Sequence, residues 1–396
     1  MKVYLVGIGT DGSRTLTAEA KQAIDSSELL IGAGRMLAPF ADTGKRSFCA
    51  YLPKDIRAIL DREGPSAAAV LLSGDTGFFS GAAKLRQELA GFDTDTVCGI
   101  SSPVYLCARA GLSYEDMKYV SLHGREGNIA VNVRMNEKCF FLLGGKYTAA
   151  EVCQRLCEYG IPDADIFIGE RLGYTGEKIT AGTARELRGI ETDSLCSMIA
   201  VNPAPLRHIP SAIPDGDFVR TDIPMTKSAV RGNIVSGLDI EHDSVCWDIG
   251  CGTGSVSVEM AFRCPGGQVY AFDKNSAAVA LTLENARHFG CDNITAAQAE
   301  LPSLPDDIPT PDKVFIGGSS GSMRDILALI GERNPRADIT VSAVSLETLS
   351  QASEAFAEQG FSCDITQLAV TETRKLGSHT MLRAQNPVFI IRGKKP

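Results

Sequence analysis

The 396-residue sequence predicts an α/β protein in two parts, and three observations carry that prediction. Short apolar runs alternate with helically spaced segments along the chain. Five prolines within residues 203–224 interrupt this rhythm once. Beyond them, strands separated by helices of about 10 to 15 residues imply right-handed crossovers and a mainly parallel sheet.

Taken in order, strands are expected in MKVYLVGIG (1–9), AAAVLLSGD (67–75), EKCFFLLGG (137–145), ADIFIGERL (164–172) and CSMIAVNP (196–203). Helical spacing falls in LTAEAKQAI (16–24), GAAKLRQELA (81–90) and TAAEVCQRLCEYG (148–160). The second part reads as strand VCWDIG (245–250), helix 254–263, strand QVYAFDK (268–274), helix 276–290 and strand NITAAQAE (293–300). It continues as strand 311–321, helix 323–333 and strand ADITVSAV (337–344). SCDITQLAV (362–370) and HTMLRAQNPVFIIRG (379–393) read as two closing strands that give the sheet an antiparallel edge. The expected organisation is a domain at 1–203, a linker at 204–224 and a domain at 225–396.

With 44% apolar and 22% charged residues the chain has a globular balance. No apolar run approaches the length of a membrane span, and MKVYLVGIGTDG reads as a strand and turn, so the expected location is the cytoplasm with no membrane partner. A net charge of -9 argues against a nucleic-acid surface, leaving room for a local basic pocket facing a carboxylate-rich small molecule. Twelve scattered cysteines without a CxxC pair, Cys153 and Cys157 included, are expected as small buried hydrophobes, and the five dispersed histidines suggest no metal site.

DIGCGTG, following the apolar run Val245–Cys246–Trp247, is the most informative stretch. In a parallel sheet a ligand sits over the strand-to-helix turn, where glycine admits positive φ and close approach. The spacing G-x-G-x-G, with Asp248 ahead of Gly250, Gly252 and Gly254, lacks the last glycine of the dinucleotide fingerprint and favours a nucleoside without a pyrophosphate. Cys251 and Thr253 share the turn. Asp273 ends the next strand, beside Lys274, where a carboxylate can accept both ribose hydroxyls. Glu300, after Ala299, ends the third and could accept an adenine amino proton, or be simply a solvated strand end.

This set resembles the class I S-adenosylmethionine-dependent methyltransferases, with their Rossmann-like fold. IPMTKSAVRG (223–232), FIGGSSG (315–321), SAVSLETL and NPVFII are further similar to the decarboxylating precorrin methyltransferases of corrin synthesis. By that resemblance Met225, Thr226 and Lys227 line the cofactor pocket, and Gly317 joins the cofactor set. The family's Gly-Asp-Ala-Pro is here Ala299-Glu300-Leu301-Pro302, which keeps the acceptor but lengthens its reach.

The first part carries its own small-residue loops, GIGTDG (7–12), SGDTGFFSGA (73–82) and GISSP (99–103). They resemble the two-subdomain tetrapyrrole methylase fold, which implies S-adenosylmethionine contacts at Gly7, Gly9, Ser73, Gly74, Asp75, Gly77, Phe78, Ser101 and Ser102. Thr10 and Asp11 stand where the family's first loop often carries Pro. The residues alone leave alternatives open: a surface turn for SGD, core packing for Phe78 and Phe79, a helix N-cap for Ser101 and Ser102 ahead of Pro103, and a solvated loop for His123 and Arg125.

The order of the two parts resembles the C5,15-methyltransferases of cobalamin synthesis. That resemblance implies a small-molecule tetrapyrrole substrate, methylation at carbons 5 and 15 with S-adenosylhomocysteine as coproduct, loss of the ring C acetate carboxyl, no metal and a homo-oligomer. Lys227, Arg231 and Arg324 are candidates to grip substrate carboxylates, and Glu347 or His379 to move protons, against ordinary surface charge. An RNA or protein methyltransferase and a non-catalytic S-adenosylmethionine sensor remain the competing classes.

Overall fold

The computed structural model describes residues 1–395. They form two compact units: the first comprises residues 1–126, 137–154 and 163–203, the second 127–136, 155–162 and the chain from Ala204 onward. Segment 127–136 belongs to the second unit because Asp292 accepts hydrogen bonds from the Ile129 and Val131 amides, and Asn128 donates to the Pro265 and Gly267 carbonyls.

The first unit holds two five-stranded sheets. One is parallel, in the order Arg46–Cys49, Leu29–Gly32, Ala67–Leu72, Lys2–Gly7 and Asp93–Val97. The other is mixed, in the order Met117–Ser121, Lys138–Leu142, Cys196–Val201, Asp165–Glu170 and Lys178–Thr183, with only the first pair parallel. The five apolar runs expected as strands are all strands; five more were not expected, among them the polar Arg46–Cys49 and Asp93–Val97 and the apolar but four-residue Leu29–Gly32. Arg46–Cys49 and Asp93–Val97 close the edges of the parallel sheet and stay largely exposed.

The second unit is one seven-stranded sheet with the order Ile294–Gln298, Gln268–Asp273, Val245–Ile249, Lys313–Ile316, Asp338–Ala343, Val388–Lys394 and Ser362–Leu368. The first five pair in parallel, and Val388–Lys394 runs antiparallel to both of its neighbours, Asp338–Ala343 and Ser362–Leu368. Strand order reverses beside Val245–Ile249, the place where such sheets open a crevice. Period-two alternation divides the core: Cys246 packs with Val256, Met260 and Val269 on one face, and Trp247 and Ile249 with Val314, Ile326 and Phe356 on the other. The proline-rich stretch is anchored here, since Ile213 and Phe218 are buried in the first of these clusters.

One element differs from expectation. Residues 379–393 are two strands, because His379–Ala384 pairs with Thr371–Leu376 as a separate hairpin around Gly377, at φ 61°. Its alternating polar sequence is exposed along both strands and buries no face against the sheet.

Candidate functional sites

At the carboxyl ends of the second unit's strands lies a cavity of about 660 Å³. The glycine turn forms its floor. Gly250, Gly252 and Gly254 have φ of 77°, 54° and 74°, and their hydrogens face main chain rather than space. A Cβ on Gly250 would stand 2.7 Å from the Gly318 nitrogen, and one on Gly254 2.8 Å from the Thr282 Cα. Asp273 ties the turn to the next strand, accepting from the Gly252 amide at 3.0 Å through Oδ2 and from the Asn275 amide at 2.9 Å through Oδ1. Each carboxylate oxygen keeps acceptor capacity at the cavity wall. From behind, Asn285 donates to the Thr253 carbonyl (2.9 Å) and Thr282 to the Gly252 carbonyl (3.3 Å).

The sequence-derived residues divide cleanly. Met225, Thr226, Lys227, Gly250, Cys251, Gly252, Asp273, Lys274, Ala299, Glu300 and Gly317 line the cavity. Thr253 and Gly254 are buried beneath it. Asp248 is fully buried and shares the Cys246 face of its strand, where Ser257 donates to its Oδ2; it supports the turn from below instead of meeting a ligand. Burial raises its pKa to about 7, against the opposing hydrogen bond from Ser257.

Arg231 corrects the expectation of a carboxylate grip. Its side chain is fully buried and its donors are spent on Glu259 (2.6 Å), Asp215 (3.3 Å) and the carbonyls of Thr226 (2.6 Å) and Ile213, with Phe218 stacked at 4.8 Å. Buried and off the cavity wall, it does not face a substrate; the residue braces the Thr226 segment. Arg324 is exposed and paired with Glu358, outside the cavity wall. Glu347, in the first turn of helix Leu346–Glu358, and His379, on the exposed hairpin, are also absent from the wall, which argues against proton transfer by either. Sequence reading gave no site role to Ser319, Ser320, Ser342, Gln385 and Asn386, although all but Gln385 fall in the segments FIGGSSG, SAVSLETL and NPVFII; they come from the ends of the fourth and fifth strands and the turn before Val388–Lys394.

The first unit has a smaller cavity of about 340 Å³, lined by Ser73, Gly74, Asp75, Phe78 and Ser102 among the expected residues, together with Phe79 and His123. Gly7, Gly9, Gly77 and Ser101 lie off its wall. The two buried loop glycines instead permit main-chain contact: Gly9 and Gly74 exchange hydrogen bonds at 3.1 and 2.8 Å, and a Cβ on Gly7 would sit 2.8 Å from both the Gly74 oxygen and the Gly99 nitrogen. Asp75 joins the second and third loops, accepting from the Gly77 amide at 2.8 Å and the Gly99 amide at 3.0 Å.

Asp11 explains how the first loop turns without the family's proline. It accepts from Ser13 and Thr15, backbone and side chain alike, and from the Arg14 amide. Burial pushes its pKa up, but these bonds overcome the effect and hold it at about 2. Phe78 is both core and wall, edge-on to Tyr119 (5.3 Å) and Phe140 (5.7 Å). Phe79 is exposed at φ 45°, with Arg125 at 5.6 Å over its ring. Ser101 occupies the N-cap of helix Ser102–Ala110, with Pro103 in the first turn, but forms no capping bond through its side chain.

These sheets and strand-end loops are those of an α/β methyltransferase, and two family models divide the chain. One, described as tetrapyrrole (corrin/porphyrin) methylases, matches residues 2–188; the other, described as a precorrin methyltransferase domain, matches 217–395. The probable cobalt-precorrin-6B C(15)-methyltransferase (decarboxylating) of Pyrobaculum calidifontis is 38% identical over 182 residues, 45% of this chain and 93% of its own length. The precorrin-6Y C(5,15)-methyltransferase [decarboxylating] of a Sinorhizobium species is 28% identical over 321 residues, 79% of this chain and 78% of its own. A crystal structure of precorrin-6Y C5,15-methyltransferase from Geobacter metallireducens is 34% identical, covering 47% of this chain and 96% of that one with a TM-score of 0.45. The chain belongs to the decarboxylating precorrin methyltransferase family.

Proposed function

We propose that the protein uses S-adenosylmethionine to methylate a precorrin or cobalt-precorrin macrocycle at C5 and C15 and removes the carboxyl of the ring C acetate. The observation that carries this reading is that each unit has its own strand-end cavity, built on the glycine loops of a different methylase family. The expected division assigns C5 to residues 1–203 and C15 with decarboxylation to 225–396.

The second cavity suits a nucleoside. Its floor is a turn that any Cβ at Gly250 would obstruct, and Asp273 presents acceptors at the wall. Asp273 would hold the ribose, the Gly250–Gly252 main chain the amino-acid portion, and Glu300 the base. In the first cavity Ser73, Gly74, Asp75 and Ser102 would take the same role. When bound, S-adenosylmethionine supplies an electrophilic methyl group. The residues of this chain contribute alignment and exclusion of water, because an electron-rich macrocycle carbon needs no protein nucleophile.

Lys227 remains the candidate cation for a substrate carboxylate: it lines the cavity half-exposed, 3.6 Å from Asp215. Within the described residues no helix is long and apolar enough to span a membrane; the proposed location is the cytoplasm, consistent with cysteines that form no disulfide among the described residues. The proposed homo-oligomer finds support in Leu376, Met381 and Leu382, exposed on a hairpin whose strands pair only with each other. The function is tested by incubating the protein with precorrin-6B and S-adenosylmethionine and following product mass. Gain of two methyl groups and loss of carbon dioxide is expected; an unchanged macrocycle would refute the assignment.

A further inference from the structure

The wall of the larger cavity is electrically lopsided. Lys227 occupies the N-cap of helix Ser228–Gly237, which precedes Val245–Ile249, and Asp273, Lys274 and Glu300 stand at the ends of the two strands on one side of that strand. On the other side, the lining residues contributed after Lys313–Ile316, after Asp338–Ala343 and before Val388–Lys394 carry no charge among the described residues. They do carry polar side chains, notably Ser320, Ser342, Gln385 and Asn386 beside Val344 and Val388. Neighbouring strands lie about 4.8 Å apart, so the ends of Gln268–Asp273 and Asp338–Ala343, three strands apart, are separated by about 14 Å. That span accommodates a nucleoside on one side and part of a second molecule on the other.

The neutral side is also open to a ligand, with Ser320 and Asn386 exposed and Ser342 and Gln385 half-buried. Among the described residues Ser320, Ser342, Gln385 and Asn386 have no side-chain hydrogen bonds to the protein, and the Gln385 main chain is fixed by a 2.9 Å bond from its amide to the Val370 carbonyl. Ser320 is held at φ 50°, a conformation uncommon for a residue with a side chain. Hydroxyl and carboxamide donors beside Val344 and Val388, with no charged side chain lining this part of the wall among the described residues, can orient a carboxylate from which a bound macrocycle excludes water. A lysine there would stabilise the carboxylate more than the charge-dispersed transition state in which it departs, and so would slow its loss.

We propose that Gln385 and Asn386, with Ser320 and Ser342, form the subsite that receives the acetate undergoing decarboxylation; this rests on the function proposed above. In the step they serve, the bond between the acetate methylene and its carboxylate carbon breaks. Carbon dioxide leaves, the electron pair stays on the methylene carbon in conjugation with the macrocycle, and a proton from water then completes a methyl group. The four side chains orient the carboxylate and perform no proton transfer.

The test uses the full-length protein with precorrin-6B and S-adenosylmethionine, reading products by mass. The Gln385→Ala/Asn386→Ala variant is expected to release about tenfold less carbon dioxide per C15 methylation, or less still, so that a methylated, undecarboxylated product accumulates. Unchanged S-adenosylhomocysteine affinity verifies the fold. A second variant, Asn386→Lys, is expected to lower the KM for the macrocycle while slowing carbon dioxide release. Equal loss of both reactions in the double variant, no loss of either, or faster decarboxylation in Asn386→Lys would each overturn the subsite. Absence of any methyl transfer by the wild-type protein would instead refute the functional assignment itself.

Discussion

The two cavities use glycine for the same end but are supported in different ways. In the second unit a single turn is propped from beneath by buried polar groups: Asp248 with Ser257, Asn285 under Thr253, and the Arg231–Glu259 pair under the Thr226 segment. In the first unit three loops support one another directly, through main-chain bonds between Gly9 and Gly74 and the Asp75 carboxylate. The difference teaches that a glycine motif marks where a chain comes close to something, without saying whether that neighbour is a ligand or its own backbone.

The comparison is sharpened by removing each support in turn. Arg231→Met should have the largest effect, about 3 to 5 kcal/mol lost from the second unit, because Glu259 is left buried without its charge partner, holding only the bond from the Ile213 amide. Chemical denaturation followed at Trp247, which lies in this unit, measures it. Survival of full stability would mean the buried pair is dispensable. Next, Gly250→Ala should weaken S-adenosylhomocysteine binding at the second site by about a hundredfold or more, since φ 77° and the neighbouring Gly318 leave no room for a Cβ. Calorimetric titration should find the other site unchanged.

Asp248 makes a pH-dependent prediction. Its folded pKa of about 7 lies above the roughly 3.9 of an unfolded aspartate, so the folded state holds a proton that the unfolded chain releases between those values. Stability contributed by this group therefore falls as pH rises through that window. Asp248→Asn should flatten the decline between pH 5 and 8 by about 2 kcal/mol, with a residual slope from Asp292 and Glu259, whose pKa values burial also raises. An undiminished slope would show that Asp248 is not the source. The smallest effect is expected for Asp75→Ala, about a tenfold loss of affinity at the first site with none at the second, because the loop trio retains its main-chain bonds.

What could be read from the sequence follows the same physics. The strand-end glycines and Asp273 were legible because positive φ and a carboxylate after a strand are requirements of the backbone itself. Arg231 was not, since an arginine after an apolar helix turn reads the same whether it faces water or a buried Glu259. Asp248 carried an unused signal: period-two alternation puts it on the face of Cys246, directed into the helix layer. The neutral wall of Ser342, Gln385 and Asn386 was hidden because the fifth strand end and the turn before Val388 are remote from the glycine motif in sequence and meet it only through strand order.

The central claim is that this chain carries two independent cofactor sites. Isothermal calorimetry of S-adenosylhomocysteine with the wild type, Asp273→Ala and Asp75→Ala tests it most directly. Two sites per chain, with each substitution weakening or abolishing one, is the predicted result; a single site, lost with Asp273→Ala and untouched by Asp75→Ala, would contradict it.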